Sequence, residues 1–157
     1  MRIFNGISDF AQCVGEELGV TEWRTITQED INAFAKVTND HQWIHVDTTR
    51  AASGPFGTTL AHGYLTLALV SGFMFDTFRI DGLSMGVNYG SNKVRYPAPV
   101  LVGSRVRGRV KLVALDREDN WAQSTVQVTV EQEFNSVAKK PGCVAEVVSR
   151  LYEAPAF

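Results

Sequence analysis

The sequence predicts an α+β fold in which a curved antiparallel sheet wraps one apolar central helix. Three observations carry that expectation. Leu60 to Phe78 reads LAHGYLTLALVSGFMFDTF, with no charged residue between His62 and Asp76 and apolar side chains on nearly every face at helical spacing. Helices of that kind are buried all round, and the run falls short of the roughly 18 to 20 residues that cross a bilayer. Next, Arg105 to Leu115 and Ala122 to Phe134 alternate apolar with polar residues, the period of a strand with one wet face. Lastly, helical stretches come early and strands late. A sheet wet on one face must cover the other, and the apolar helix is the only large object available to do so.

The 157 residues fit one domain, spanning 1–157, with enough surface for a real core. Composition is 45% hydrophobic and 20% charged, ordinary for a globular protein. A net charge of -2 gives no reason to expect nucleic acid or an anionic membrane as partner. Asp9 and Gln12 interrupt any signal-peptide core after Arg2, so the cytoplasm is the expected compartment. Cys13 and Cys143 are too few and too far apart for a disulfide scaffold and read as small buried hydrophobes.

In chain order, residues 1–19 predict a short helix and a turn, with Phe10, Cys13, Val14 and Leu18 as its apolar stripe. Glu22 to Ile26 reads as a short strand. Thr27, with Asp30 three residues on, predicts a capping box opening a helix whose inward face is Ile31, Phe34, Ala35 and Val37 and whose end is near Asn39. DHQWIHVD, Asp40 to Asp47, has neither period and predicts a loop that presents side chains. Asp47 caps a short helix through Ala52, stopped by Gly54-Pro55. Gly86 to Tyr96 predicts a strand that bulges near Gly90-Ser91-Asn92. In the next two strands Arg105, Arg107, Arg109 and Lys111 face outward, opposite a Glu131 and Glu133 row suited to cross-strand pairing. The turn between them is DREDN, 116–120, and Val144 to Tyr152 is the last strand.

Chemistry concentrates before the central helix. Asp40 and His45, five apart on a loop, can hold one water between a carboxylate and an imidazole and exchange protons near neutral pH. The bland alternative makes Asp40 a turn residue and packs His45 on Trp43. His41 is the rival of His45, but no HExxH pattern or cysteine cluster argues for a metal. His62 either meets substrate or bonds a neighbouring carbonyl. The Gly63 amide, in the first turn of a helix, is free to stabilise a carbonyl oxygen that gains charge; otherwise Gly63 only permits tight packing. Ser71, buried at mid-helix, most simply bonds back to a carbonyl. Asn92, Lys93 and Arg95 are candidate substrate contacts, and Arg79 and Lys139 are further basic residues for a phosphate.

With Asp40-His-Gln-Trp-Ile-His45-Val-Asp47, Ala61-His62-Gly63, GPFGTTLAHG and NYGSNKVRYPAPV, the chain resembles the MaoC-like (R)-specific enoyl-CoA hydratase family, in its short single-domain actinobacterial form. The resemblance spans Ile26 to Arg107 strongly and the later strands in outline. It implies the hot-dog fold, with Asp40 and His45 catalytic, the Gly63 amide on the thioester carbonyl, and Ser71 supporting the site. Gln42 stands where the family has Asn and Trp43 where it has Pro. The implied reaction is reversible addition of water to trans-2-enoyl-CoA, giving (R)-3-hydroxyacyl-CoA, with no metal or other cofactor. The implied assembly is a homodimer joined sheet edge to sheet edge. Thioester hydrolysis and a non-catalytic hot-dog subunit are the competing readings.

Overall fold

The computed structural model describes residues 1–154. Its chain runs β1 (Arg2–Asn5), α1 (Gly6–Ala11), β2 (Glu17–Val20), β3 (Arg24–Thr25), α2 (Gln28–Thr38), α3 (Trp43–Val46), α4 (Thr48–Ala52), α5 (Gly63–Thr77), β4 (Phe78–Asp81), β5 (Leu83–Arg95), β6 (Arg105–Arg117), β7 (Trp121–Phe134), β8 (Val137–Ala138) and β9 (Cys143–Glu153). The main sheet has the order β2-β6-β7-β9-β5, with β3 beside β6 and β8 beside β7, and all its ladders are antiparallel.

Alternation decides which sheet face is dry. Val106, Gly108, Val110 and Leu112 of β6 and Val126, Val128 and Val130 of β7 turn inward. On the wet face Arg105 pairs with Glu133 at 2.7 Å, and Arg107 and Arg109 both pair with Glu131 at 2.7 Å. These exposed pairs align the strands more than they stabilise them. The bulge expected in β5 is present as register shifts on β9 at Asn88/Gly90 and Ser91/Lys93.

α5 lies across the dry face. Leu65, Val70 and Phe73 are buried in the core, and Phe73 sits directly over Gly108. A Cβ at 108 would come within 2.5 Å of the Phe73 Cβ. Gly108→Ala should therefore destabilise the fold by about 1–3 kcal/mol, the scale of an overpacked core, read as a lower denaturant midpoint; an unchanged midpoint would contradict this packing.

Several expectations need correction. The central helix is not buried on every face: Tyr64 and Phe75 are 73% and 76% exposed. Val37 is 85% exposed rather than inward, and Val14 is exposed too. The N-terminal stretch holds two strands besides its helix, because Arg2–Asn5 pairs in parallel with Phe78–Asp81 after the central helix. Ser71 is exposed and opens into a cavity instead of lying buried. Cys13 and Cys143 are buried free thiols, as expected.

Candidate active site

Three elements meet at the N-terminal end of α5. The capping box is complete: the Thr27 hydroxyl accepts from the Asp30 amide and the Asp30 carboxylate accepts from the Thr27 amide. It fixes the start of α2, and Asn39, left-handed at φ 57, ends it. That left-handed residue turns the chain sharply, so Asp40 swings back over α5. The Asp40 carboxylate then accepts from the Gln42 amide at 3.3 Å, and the Gln42 carbonyl accepts from the His45 amide at 2.9 Å. The loop expected from Asp40 to Asp47 thus contains one helical turn, α3. Gln42 serves through its backbone, while Trp43 packs against Gly54 and under the Arg50 guanidinium at 4.4 Å. Both departures from the family pattern therefore fit this local path.

His45 is 6% exposed, and its Nδ1 lies 2.7 Å from the Leu60 carbonyl. A carbonyl can only accept, so the proton sits on Nδ1 and Nε2 keeps its lone pair. Leu60 is itself held, its amide donating to Ile44 and its neighbour Ala61 to Val100. The His45 carbonyl accepts from Gln28 at 2.8 Å, and Thr59 donates to the same Gln28 side chain. Gln28 and Thr59 thus fix the His45 backbone, although neither stood out in the sequence. Thr59 follows Thr58 in an approach to the helix that offers no visible signal for this contact, and Gln28 looks like any first-turn residue.

His62 is 2% exposed and stacks face to face on His45, ring centres 3.8 Å apart and planes at 23°. Its Nε2–H donates to the Asp40 carbonyl at 3.0 Å, and the same nitrogen lies 4.0 Å from the Asp40 carboxylate. Its Nδ1 has no hydrogen-bond partner among the described residues. Of the two sequence readings for His62, a bond to a neighbouring carbonyl is the one this geometry displays. Ligand atoms of Asp40, His45 and His62 all fall within 4.8 Å of one another, with Asp40 alone of the three exposed. His41, the rival imidazole, is exposed and outside this group.

Burial is the largest influence on His45 and pushes its pKa below 6.5; the Leu60 bond and Asp40 oppose it, and His62 adds to it. His45 is therefore neutral at pH 7, able to accept a proton. Protonation removes that ability, so activity should fall as pH drops through a midpoint below 6.5, with a plateau above. Because the unfolded chain takes up this proton first, stability should also decline as pH falls below 6.5. A kcat/KM profile with its acid limb centred at or above 6.5 would contradict this environment.

Gly63 is exposed as the first residue of α5, with no side chain capping the helix start. Tyr96, just past the end of β5, closes one side: a Cβ on Gly63 would meet its ring at 3.4 Å. Lys93 and Arg95 on the same strand are exposed, with Arg95 donating to the Val94 carbonyl and Lys93 opposite Glu146. Asn92 sits at the bulge, exposed. Arg79 is paired with Asp81 at 2.7 Å. A cavity of about 780 Å³ runs from Phe34 and Tyr64 past Ser71 to Phe78 and Leu83, between α5 and the inner face of β5 and β9.

The model of the MaoC-like domain matches residues 9–135. The chain is 51% identical over 151 residues to 3-hydroxyacyl-thioester dehydratase Z of Mycobacterium tuberculosis, covering 96% of this chain and 98% of that one. Among solved structures, a monoamine oxidase regulatory protein from Archaeoglobus superposes with a TM-score of 0.78 at 21% identity, covering 98% of each chain. An (R)-hydratase of Pseudomonas aeruginosa superposes at 0.68 with 22% identity, covering 90% of this chain and 83% of that one. These structures share the hot-dog architecture expected above, a central helix against a large antiparallel sheet. The chain belongs to the MaoC-like dehydratase domain family.

Proposed function

We propose that this protein is a hydro-lyase that reversibly dehydrates (R)-3-hydroxyacyl thioesters of coenzyme A to trans-2-enoyl thioesters. The observation that carries the reading is the meeting of Asp40 with His45, whose Nε2 keeps its lone pair, beside the open first turn of α5 at Gly63. In hydration, one water lies between the Asp40 carboxylate and His45 Nε2, over the β-carbon. The Gly63 amide draws charge onto the thioester oxygen, which makes the β-carbon electrophilic and stabilises the enolate that follows. His45 takes the water's proton as oxygen bonds to the β-carbon, and that same proton passes by way of the Asp40 carboxylate to the α-carbon, so both residues end as they began. A single water shared by both residues places both additions on one face, the origin of (R) stereochemistry.

The chemistry is proposed to need no cofactor. A metal binds an imidazole in the ring plane at about 2 Å, and the stacked planes of His45 and His62 do not converge on one such point. Support for the thioester class comes from the named dehydratase relative. Incubation with trans-2-enoyl-CoA tests the reading: loss of the conjugated enoyl absorbance without free thiol is expected, and thiol release would make the protein a thioesterase instead.

The working unit is proposed to be a homodimer. β5 is an edge strand exposed along most of its length, with Met85, Val87 and Tyr89 53%, 43% and 59% exposed. An uncovered edge of that length invites pairing with a second copy. Light scattering at micromolar protein should give twice the chain mass; a monomer with full activity would refute it. No helix among the described residues is long and apolar enough to cross a membrane.

A further inference from the structure

The cavity beside α5 is apolar along most of its length, yet one row of the sheet beneath it is polar. In register, Ser124 of β7 stands opposite Ser149 of β9, and Ser149 stands opposite Asn88 of β5. All three line the cavity. The rows on either side are apolar where they cross β7 and β9: Val126 with Val147, and Ala122 with Leu151. Ser124 is the anomaly. It occupies an inward position of a strand whose other inward positions include Ala122, Val126, Val128 and Val130, and it is only 2% exposed. Its hydroxyl donates to the Ser149 carbonyl at 3.5 Å, the far limit of a hydrogen bond, so its capacity to bond is largely unused. A hydroxyl bonded so weakly within the chain, on a row that faces the cavity, is left free to bond whatever the cavity holds. The row suits a cavity occupant that brings a polar group to it.

We propose that this polar row selects a thioester whose acyl chain carries a hydroxyl or carbonyl group partway along its length. The inference rests on the thioester reading above. Ser71, two turns into α5, lines the same cavity. It lies eight residues beyond Gly63, about 12 Å along the helix axis. On the sheet side, Asn88 stands eight residues before Tyr96, the neighbour of Gly63, so an oxygen held on the row is well separated from a thioester bound at the Gly63 amide. It is therefore distinct from the 3-hydroxyl that the reaction removes. The hydroxyls of Ser124 and Ser149 and the amide of Asn88 can each donate and accept, so either oxygen function is satisfied.

The test compares saturated dodecanoyl-CoA with dodecanoyl-CoA bearing a single hydroxyl, moved in turn from the sixth to the tenth carbon. Binding is read by calorimetry on the full-length protein. At one position the hydroxylated chain should bind roughly tenfold tighter than the plain chain, the scale of one or two net hydrogen bonds. That ratio should fall to about one in Ser124→Ala/Ser149→Ala. Should that variant unfold, Asn88→Leu, on the exposed edge strand, should lower the ratio instead. The proposal is overturned if the plain chain binds as tightly as every hydroxylated one, if neither chain binds, or if the ratio survives in the folded variants. Turnover of the matching trans-2-enoyl thioesters separates the two readings. No turnover with the binding ratio intact would refute the hydro-lyase reading alone, and turnover without the ratio would refute the polar-row proposal alone.

Discussion

His45→Gln and Asp40→Asn should each lower kcat by roughly 10²-fold or more, the scale of general acid–base catalysis, with little change in KM. The reason lies in how each residue is held. The Leu60 carbonyl commits the His45 proton to Nδ1, leaving Nε2 as the ring's one lone pair free to accept a proton. Burial keeps that ring neutral. Asp40→Asn retains an oxygen to accept from the Gln42 amide, so the loop should keep its path while the charge and the group that passes the proton to carbon are lost. Because both groups are proposed to act on one water, the double variant should fall well short of the product of the two losses. His41→Gln, on an exposed side chain outside the cluster, should be far milder. Steady-state kinetics on the four variants, with folding checked by circular dichroism, decides the matter. A folded Asp40→Asn or His45→Gln protein with near wild-type kcat would place the chemistry elsewhere.

What the sequence made legible is what depends on near neighbours or on simple periods. Thr27 and Asp30 form their box within one turn, and Asn39 ends the helix it was expected to end. The alternation of β6 and β7 survives because one face is dry throughout. Asp40, His45 and His62 were visible because their types and spacing are unusual, and the structure gathers them within 4.8 Å. Contacts between distant parts of the chain were not legible. Gln28 reaches the His45 carbonyl across 17 positions, and nothing local marks it. The β1–β4 pairing joins the N-terminus to the residues that follow α5, and neither four-residue segment is long enough to declare itself.

Exposure was the other blind spot. Apolar residues all round α5 say that the helix avoids water, but not which body covers each face. Leu65, Val70 and Phe73 are covered by this chain's own sheet. Tyr64 and Phe75 are not, and they lie beside the cavity that also borders β5. Sequence periodicity cannot separate a face meant for the core from one meant for a ligand or a second copy. For Val37 the reasoning fails more simply: it stands two residues beyond buried Ala35, about 200° round the helix and so on the opposite face.

Gly63 offers the second decisive experiment, because a backbone amide can be deleted there with the helix left intact. Proline is favoured at the first position of a helix, where the missing N–H has no partner within the helix. The residue before it must be extended, and His62 already is, at φ -57 and ψ 141. Gly63→Pro therefore removes the proposed oxyanion donor without demanding a new backbone path. It also adds a Cβ, which would press on the Tyr96 ring at 3.4 Å, so Gly63→Ala is the control: it adds the same atom and keeps the amide. Pro should lower kcat by roughly 10²-fold or more, the usual result of losing one oxyanion-hole donor, whereas Ala should show a far smaller loss. Because the amide bonds most strongly to the charged oxygen of the enolate, the effect should fall on kcat more than on KM. Equal losses in the two variants would show that Gly63 only makes room for Tyr96, and that the thioester oxygen is held by another group.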